Sequence, residues 1–379
     1  MRRWPGLILV AFLLVGLVSG CSQLSGGGAS GDIVFGVSGP LTGPNAEYGQ
    51  IWKKAFDIAV DEINGKGGIK GRKVKIQFED TQSDPKQSVV VAEKFVNDKS
   101  IVAEIGDFAS PASMAASPIY ERAGLVQYGF TNSHPDFTKG GNFMFSTAPN
   151  QADDAPFLAE YAVKDLGKKK LVLLHLNTDW GKTTADLFEA RAKELGATIV
   201  YRDAYLPDEK DFKTIVTKAR DANPDGLALM SYYTDAALIA QQARSQGIKV
   251  DIIANGATYS PKFIELGGEA VEGVYTTSPW FVGNPRPAVQ EFVKKFKEKY
   301  NEEPNWFAGN AYDTVMILAN VIEKVGTDRK AIRDGLAGLK DYPSLVYGTL
   351  SFNEQRRATI KEFNRLTVKG GTFTIWKAS

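Results

Sequence analysis

The sequence predicts an α/β protein built as two similar halves, each a doubly wound parallel sheet. Three observations lead there. Apolar strand-like runs alternate with helical patterns from Asp32 onward, the alternation restarts near residue 169, and 379 residues exceed one ordinary core. Such alternation implies right-handed crossovers and strands covered on both faces.

Residues 32–38 (DIVFGVS) read as the first strand, and 48–65 as a helix whose stripe runs through Ile51, Ala55, Ile58, Ala59 and Ile63. A strand at 73–80 precedes a helix at 84–99. A strand at 100–107 precedes a helix at 110–124, and GLVQYGF (124–130) closes the first set. The second set pairs strand 169–177 with helix 181–196, strand 197–206 with helix 211–223, and strand 225–233 with helix 234–247. Strand 250–256 follows. Later come GVYTTSPWF (273–281), helices at 287–300 and 310–326, and a β-hairpin over 362–376 turning at Gly370–Gly371.

Composition removes several function classes. Lysine plus arginine number 45 against 44 acids, so no global field recruits nucleic acid, and no helix-turn-helix opens the chain. The two histidines, His134 and His175, leave little for metal or histidine-base chemistry, and no metal ion or cofactor is expected. Gly36-Val37-Ser38-Gly39-Pro40 fails the nucleophile elbow at its fifth position. Gly181-Lys182-Thr183 sits between strand and helix, but Leu176 stands where a phosphate loop needs glycine. GVSGPLTG also lacks the dinucleotide spacing. The expectation is a binding protein rather than an enzyme.

In open α/β sheets ligands bind beyond the carboxyl ends of the strands. There the first half offers Asp107-Phe108-Ala109-Ser110-Pro111 and Thr131-Asn132-Ser133-His134-Pro135. Ser110 before Pro111 suits a helix cap, while the unpaired amides of the same helix start attract a carboxylate. The second half offers Trp180, Tyr232 and Tyr233. Together they describe a cleft with hydroxyls on one wall and aromatics on the other. Ser38 and Thr42 read as loop caps.

The first 21 residues stand apart. MRRWPG is basic, LILVAFLLVGLV is apolar, and LVSGC resembles a bacterial lipobox. Residues 1–21 are thus expected to be a lipoprotein signal peptide, with Cys21, the only cysteine, as lipid anchor and 22–31 as a flexible tether.

SGPLTGPNAEYGQ (38–50), INGKGGIKGRKVKIQFEDTQSDPKQSVVVAEKFVND (63–98), IGDFASPASMAASPIYERAGL (105–125) and ARSQGIKVDIIANGATYSPKFIELGGEAVEGV (243–274) resemble the leucine/isoleucine/valine-binding proteins, receptors of branched-chain amino acid ABC importers. The resemblance implies a type I periplasmic-binding fold with a three-segment hinge. Lobe 1 would be 32–150 plus 279–353, and lobe 2 would be 151–278 plus 354–379. It implies a ligand carboxylate held by Ser110, by the segment Thr131-Asn132-Ser133 with its second hydroxyl on Ser133, and by backbone amides near Phe108 and Ala109. Tyr48, Trp180, Tyr232 and Phe307 would wall the rest. Where amino-acid binders of the family carry a glutamate against the ammonium, this chain has Gly256, with Asp235 and Asp179 the nearest substitutes. The implied partners are a small ligand (branched-chain amino acid, aromatic acid or small amide) and ABC permease subunits, without nucleic acid. The implied state is an extracytoplasmic monomer held to the membrane only through its lipid. The alternatives are a ligand-sensing lobe for a signalling partner and a two-lobe α/β transferase.

Overall fold

A computed structural model describes residues 31–378, Lys361 excepted; the leader with Cys21, and the tether as far as residue 30, lie outside the described residues. In chain order the elements of the first lobe are β1 (Ile33–Gly39), α1 (Ala46–Gly65), β2 (Val74–Asp80), α2 (Pro85–Asn97), β3 (Ile101–Ile105), α3 (Ser110–Ala123), β4 (Val126–Gly129) and β5 (Met144–Ser146). They form a five-stranded parallel sheet in the order β2-β1-β3-β4-β5. Every residue of β3 and β4 is buried, as strands covered by helices on both faces must be.

The chain then enters the second sheet through α4 (Gln151–Glu160), β6 (Lys170–Leu176), α5 (Asp179–Glu194), β7 (Thr198–Tyr205), α6 (Lys213–Asp221), β8 (Gly226–Met230), α7 (Tyr233–Ser245), β9 (Asp251–Ala254), α8 (Pro261–Gly267) and β10 (Tyr275–Ser278). It returns to the first lobe with α9 (Pro287–Tyr300), α10 (Trp306–Val325), α11 (Arg329–Ala337) and the short antiparallel pair β11 (Tyr342–Ser344) and β12 (Gly348–Leu350). There α10 packs along α1 and also against α11. A third passage leads to β13 (Asn364–Lys369) and β14 (Thr372–Ile375).

The second sheet, β14-β13-β10-β9-β8-β6-β7, is parallel from β10 to β7, and β13 and β14 add antiparallel at its edge. This terminal hairpin makes the sheet mixed rather than purely parallel. Its two-residue turn has both central residues at positive φ, Gly370 at +59° and Gly371 at +72°, the conformation for which glycine is suited.

Six elements are absent from the sequence reading: β5, α4, α8, α11, β11 and β12. The strands have three residues each, too few for periodicity to register. α4 carries Pro156 and an acidic first turn, and α11 buries only Ile332 and Leu336. α10 also begins four residues before the expected 310, because Asn305 caps it by accepting from Ala308 N at 3.1 Å. That places Phe307 in a helical turn. Among the described residues no helix is long and apolar enough to cross a membrane.

Candidate functional site

A cavity of about 660 Å³, counting its open mouth, lies between the lobes at the carboxyl ends of the strands. The first lobe lines it with Phe108, Ser110, Thr131 and Ser133, and α10 contributes Trp306 and Phe307. The second lobe contributes Trp180, Tyr232, Gly256 and Thr277, together with Gln151 and Asp154 of α4.

The hydroxyl wall is held from behind by a buried carboxylate. Asp107, at the exit of β3, accepts hydrogen bonds from Thr81, from Ser83 Oγ at 2.7 Å, from Ser88 Oγ at 2.8 Å and from the Phe108 amide at 2.5 Å. Its carbonyl accepts from Thr131 Oγ1 at 3.3 Å and Asn132 Nδ2 at 3.1 Å, tying the two strand exits together. Burial pushes the Asp107 carboxyl upward, against the lowering effect of its donors.

Ser110 is not the cap of α3. Ala109 holds the cap position, no side chain caps the helix, and Ser110 is the first helical residue. Its hydroxyl accepts only a long bond from His134 N at 3.4 Å, so its proton is free for a ligand. Ser133 Oγ accepts from Trp180 Nε1 at 2.9 Å, which likewise leaves its proton free. The amides of Ser110 and Ser133 donate to no group among the described residues. Two hydroxyl protons and two amides, those of Ser110 at the start of α3 and those of Ser133 on the loop after β4, are an arrangement that can hold an anion. Thr131 is different, since its hydroxyl also reaches the Phe108 carbonyl at 3.1 Å.

The aromatic wall is a row of packed rings. Trp180 stacks on Tyr232 with centroids 4.8 Å apart, and Tyr232 packs on Phe108 at 4.9 Å. Three expected site residues stand outside the lining. Tyr48 lies behind Phe108, stacked at 3.9 Å, and its hydroxyl donates across the cleft to Ala257 O at 2.7 Å. Asn132 is fully buried among Asp107 O and Ser113 Oγ, and Ala109 serves the helix start.

Gly256 does line the cavity, and a Cβ there would stand 2.8 Å from Thr277 O, so an acid at this position would force the backbone apart. Neither expected substitute acid fills in. Asp179 is two-thirds exposed at the rim, 3.1 Å from His134 Nε2. Asp235 is buried beside Tyr205 and does not line the cavity. Asp154, which no sequence motif marks, is the one charged side chain among the described lining residues. Burial pushes its carboxyl up to about 6, and the bond from Thr277 Oγ1 at 3.1 Å opposes this only in part. Among the described residues no three His, Cys, Asp or Glu side chains are grouped to hold a metal ion.

Two α/β lobes, three crossings and a cavity between them lined by free hydroxyls and aromatics are the architecture of a receptor that encloses a small molecule. The chain belongs to the periplasmic binding protein family, whose model matches residues 32–372. The family's members are binding proteins that act outside the cytoplasm. The chain is 30% identical over 329 residues to Leu/Ile/Val-binding protein homolog 3 of Brucella melitensis, covering 86% of this chain and 88% of that one. Among solved structures it resembles the leucine-binding protein LivK of Thermotoga maritima (TM-score 0.84, 27% identity, 91% and 98% of the two chains covered). It also resembles the substrate-binding protein LivJ of Streptococcus pneumoniae, solved with isoleucine (TM-score 0.85, 28% identity, 90% and 97% covered).

Proposed function

We propose that this chain is the substrate-binding component of an ABC importer, capturing a small amino acid or related carboxylate and presenting it to the permease subunits. The observation that carries this reading is the anion subsite of Ser110 and Ser133, whose hydroxyl protons and amides are unengaged in a cavity between two lobes. The names of the relatives support the same ligand class. Lobe 1 (32–150 with 279–353) and lobe 2 (151–278 with 354–379) rotate about the three crossings, and a lipid on Cys21 keeps the receptor at the membrane. First-lobe groups grip the carboxylate while the second-lobe aromatics cover the side chain.

Titration calorimetry with L-leucine tests the assignment. Each hydrogen bond to a charged group contributes about 1.5–3 kcal/mol. Ser110→Ala and Ser133→Ala should therefore each weaken binding about 10- to 100-fold. Unchanged affinity in both variants would remove the anion subsite and the reading built on it.

A further inference from the structure

Asp154 and Gln151 stand three residues apart on α4, which puts both side chains on one helix face, and both line the cavity. Each presents an acceptor without a protein partner. The orientation of the Gln151 amide is fixed, because its Nε2 donates to the carbonyl of Trp180 at 2.8 Å and to Thr184 Oγ1, and a carbonyl can only accept. Its Oε1 is therefore the opposite end of the amide. That oxygen is buried and unpartnered, in a residue only 3% exposed. Asp154 Oδ1 accepts from Thr277 Oγ1, while Oδ2 has no hydrogen bond among the described residues.

No lysine or arginine pairs with Asp154; its only charged neighbour of consequence is Asp153, which is repulsive. The helix-capping duty that an acidic first-turn residue often performs is already met by Asn150, which accepts from Ala152 N at 3.0 Å. A carboxylate oxygen and an amide oxygen, both without protein donors on neighbouring residues that line the cavity, call for N–H donors carrying positive charge.

We infer that Asp154 and Gln151 form the subsite for a cationic nitrogen of the ligand, an ammonium with at least two free N–H bonds. The inference rests on the cavity being the ligand site proposed above. An ammonium has three donors, enough for Asp154 Oδ2 and Gln151 Oε1 together. The subsite takes over the task that Gly256 cannot perform, from a different element of the same lobe. With the anion subsite of Ser110 and Ser133 it selects zwitterions over plain carboxylates, which names the ligand class as α-amino acids.

The test uses the full soluble protein and paired probes that differ only in the ammonium: L-leucine against 4-methylpentanoate, and L-phenylalanine against 3-phenylpropanoate. The wild type should bind at least one amino acid about a hundredfold more tightly than its deamino partner. Asp154→Asn, which keeps the shape, should erase most of that gap by weakening the amino acid alone. Gln151→Met should narrow it. Equal binding of both members of a pair, or amino-acid affinity unchanged in Asp154→Asn, overturns the subsite. Binding of deamino acids alone overturns it too, while leaving the receptor reading in place. If no member of either pair binds, the amino-acid receptor reading and the subsite fall together.

Discussion

Tyr48 reaches across the cleft without lining the cavity. It is 1% exposed, stacks on Phe108 at 3.9 Å, donates to Ala257 O at 2.7 Å, and accepts from the Tyr233 amide at 3.3 Å. The two functions separate by substitution. Tyr48→Phe keeps the stack and loses the cross-cleft bond, a net contribution of about 1 kcal/mol. It should weaken L-leucine binding about fivefold with little change in melting temperature, read by calorimetry and thermal denaturation. Tyr48→Ala instead empties a core position and should cost about 3–5 kcal/mol of stability, so it cannot isolate binding. The position of Tyr48 after the first glycine-rich loop was legible in the sequence, but its depth was not. Nothing local distinguishes an aromatic that lines a pocket from one that backs the lining. Ser110 shows the converse. Serine before proline reads as a cap, yet here the cap is Ala109, and the hydroxyl so released faces the cavity.

The least legible element holds the least expected groups. α4 combines two acids in its first turn, a mid-helix proline and a weak apolar stripe, so periodicity does not announce it, nor Gln151 and Asp154 with it. The third crossing segment carries a second device of this kind. Arg357 is 3% exposed and donates to Asn132 O at 3.4 Å, to Ser146 Oγ at 3.4 Å and to His134 O, gripping the loop on both sides of Ser133. Burial lowers its guanidinium to about 10, so it remains cationic at neutral pH behind the anion subsite. Arg357 is thus a positioning residue for Ser133. Arg357→Met removes the charged donor shared by the Asn132 and His134 carbonyls, which keep only Ser146 Oγ at 3.1 Å and the Phe137 amide at 3.1 Å, and should lower both stability and L-leucine affinity, the latter by tenfold or more. Arg357→Lys should restore part of the affinity. In the double variant with Ser133→Ala the two losses should fall short of additive, because both act through one loop. Strict additivity would reduce Arg357 to a hinge strut.

At the scale of the whole molecule, the two halves were legible because each strand–helix alternation repeats within its own sheet, and helices 279–353 return to the first lobe only through long-range packing such as α10 on α1. The lobes are joined here on both sides of the cavity. Trp180 bonds Ser133, and His134 Nε2 meets Thr183 Oγ1 at 3.2 Å on one side; Tyr233 Oη and Thr234 Oγ1 both donate to Pro44 O, at 3.2 and 3.0 Å, on the other. Separation of the lobes would break every one of these bonds, each individually weak and exchangeable with water. Closure therefore depends on the ligand adding its own bonds to both lobes. Small-angle scattering should give a larger radius of gyration for the ligand-free protein than for the protein saturated with the best amino acid of the paired probes. At a hundredfold excess over the dissociation constant the ligand adds about 2.7 kcal/mol of stability. For a chain of this size that raises the melting temperature by about 4 °C. Equal radii with an unchanged melting temperature would mean that the cross-cleft bonds hold the lobes shut unaided, and that closure is not the means of capture.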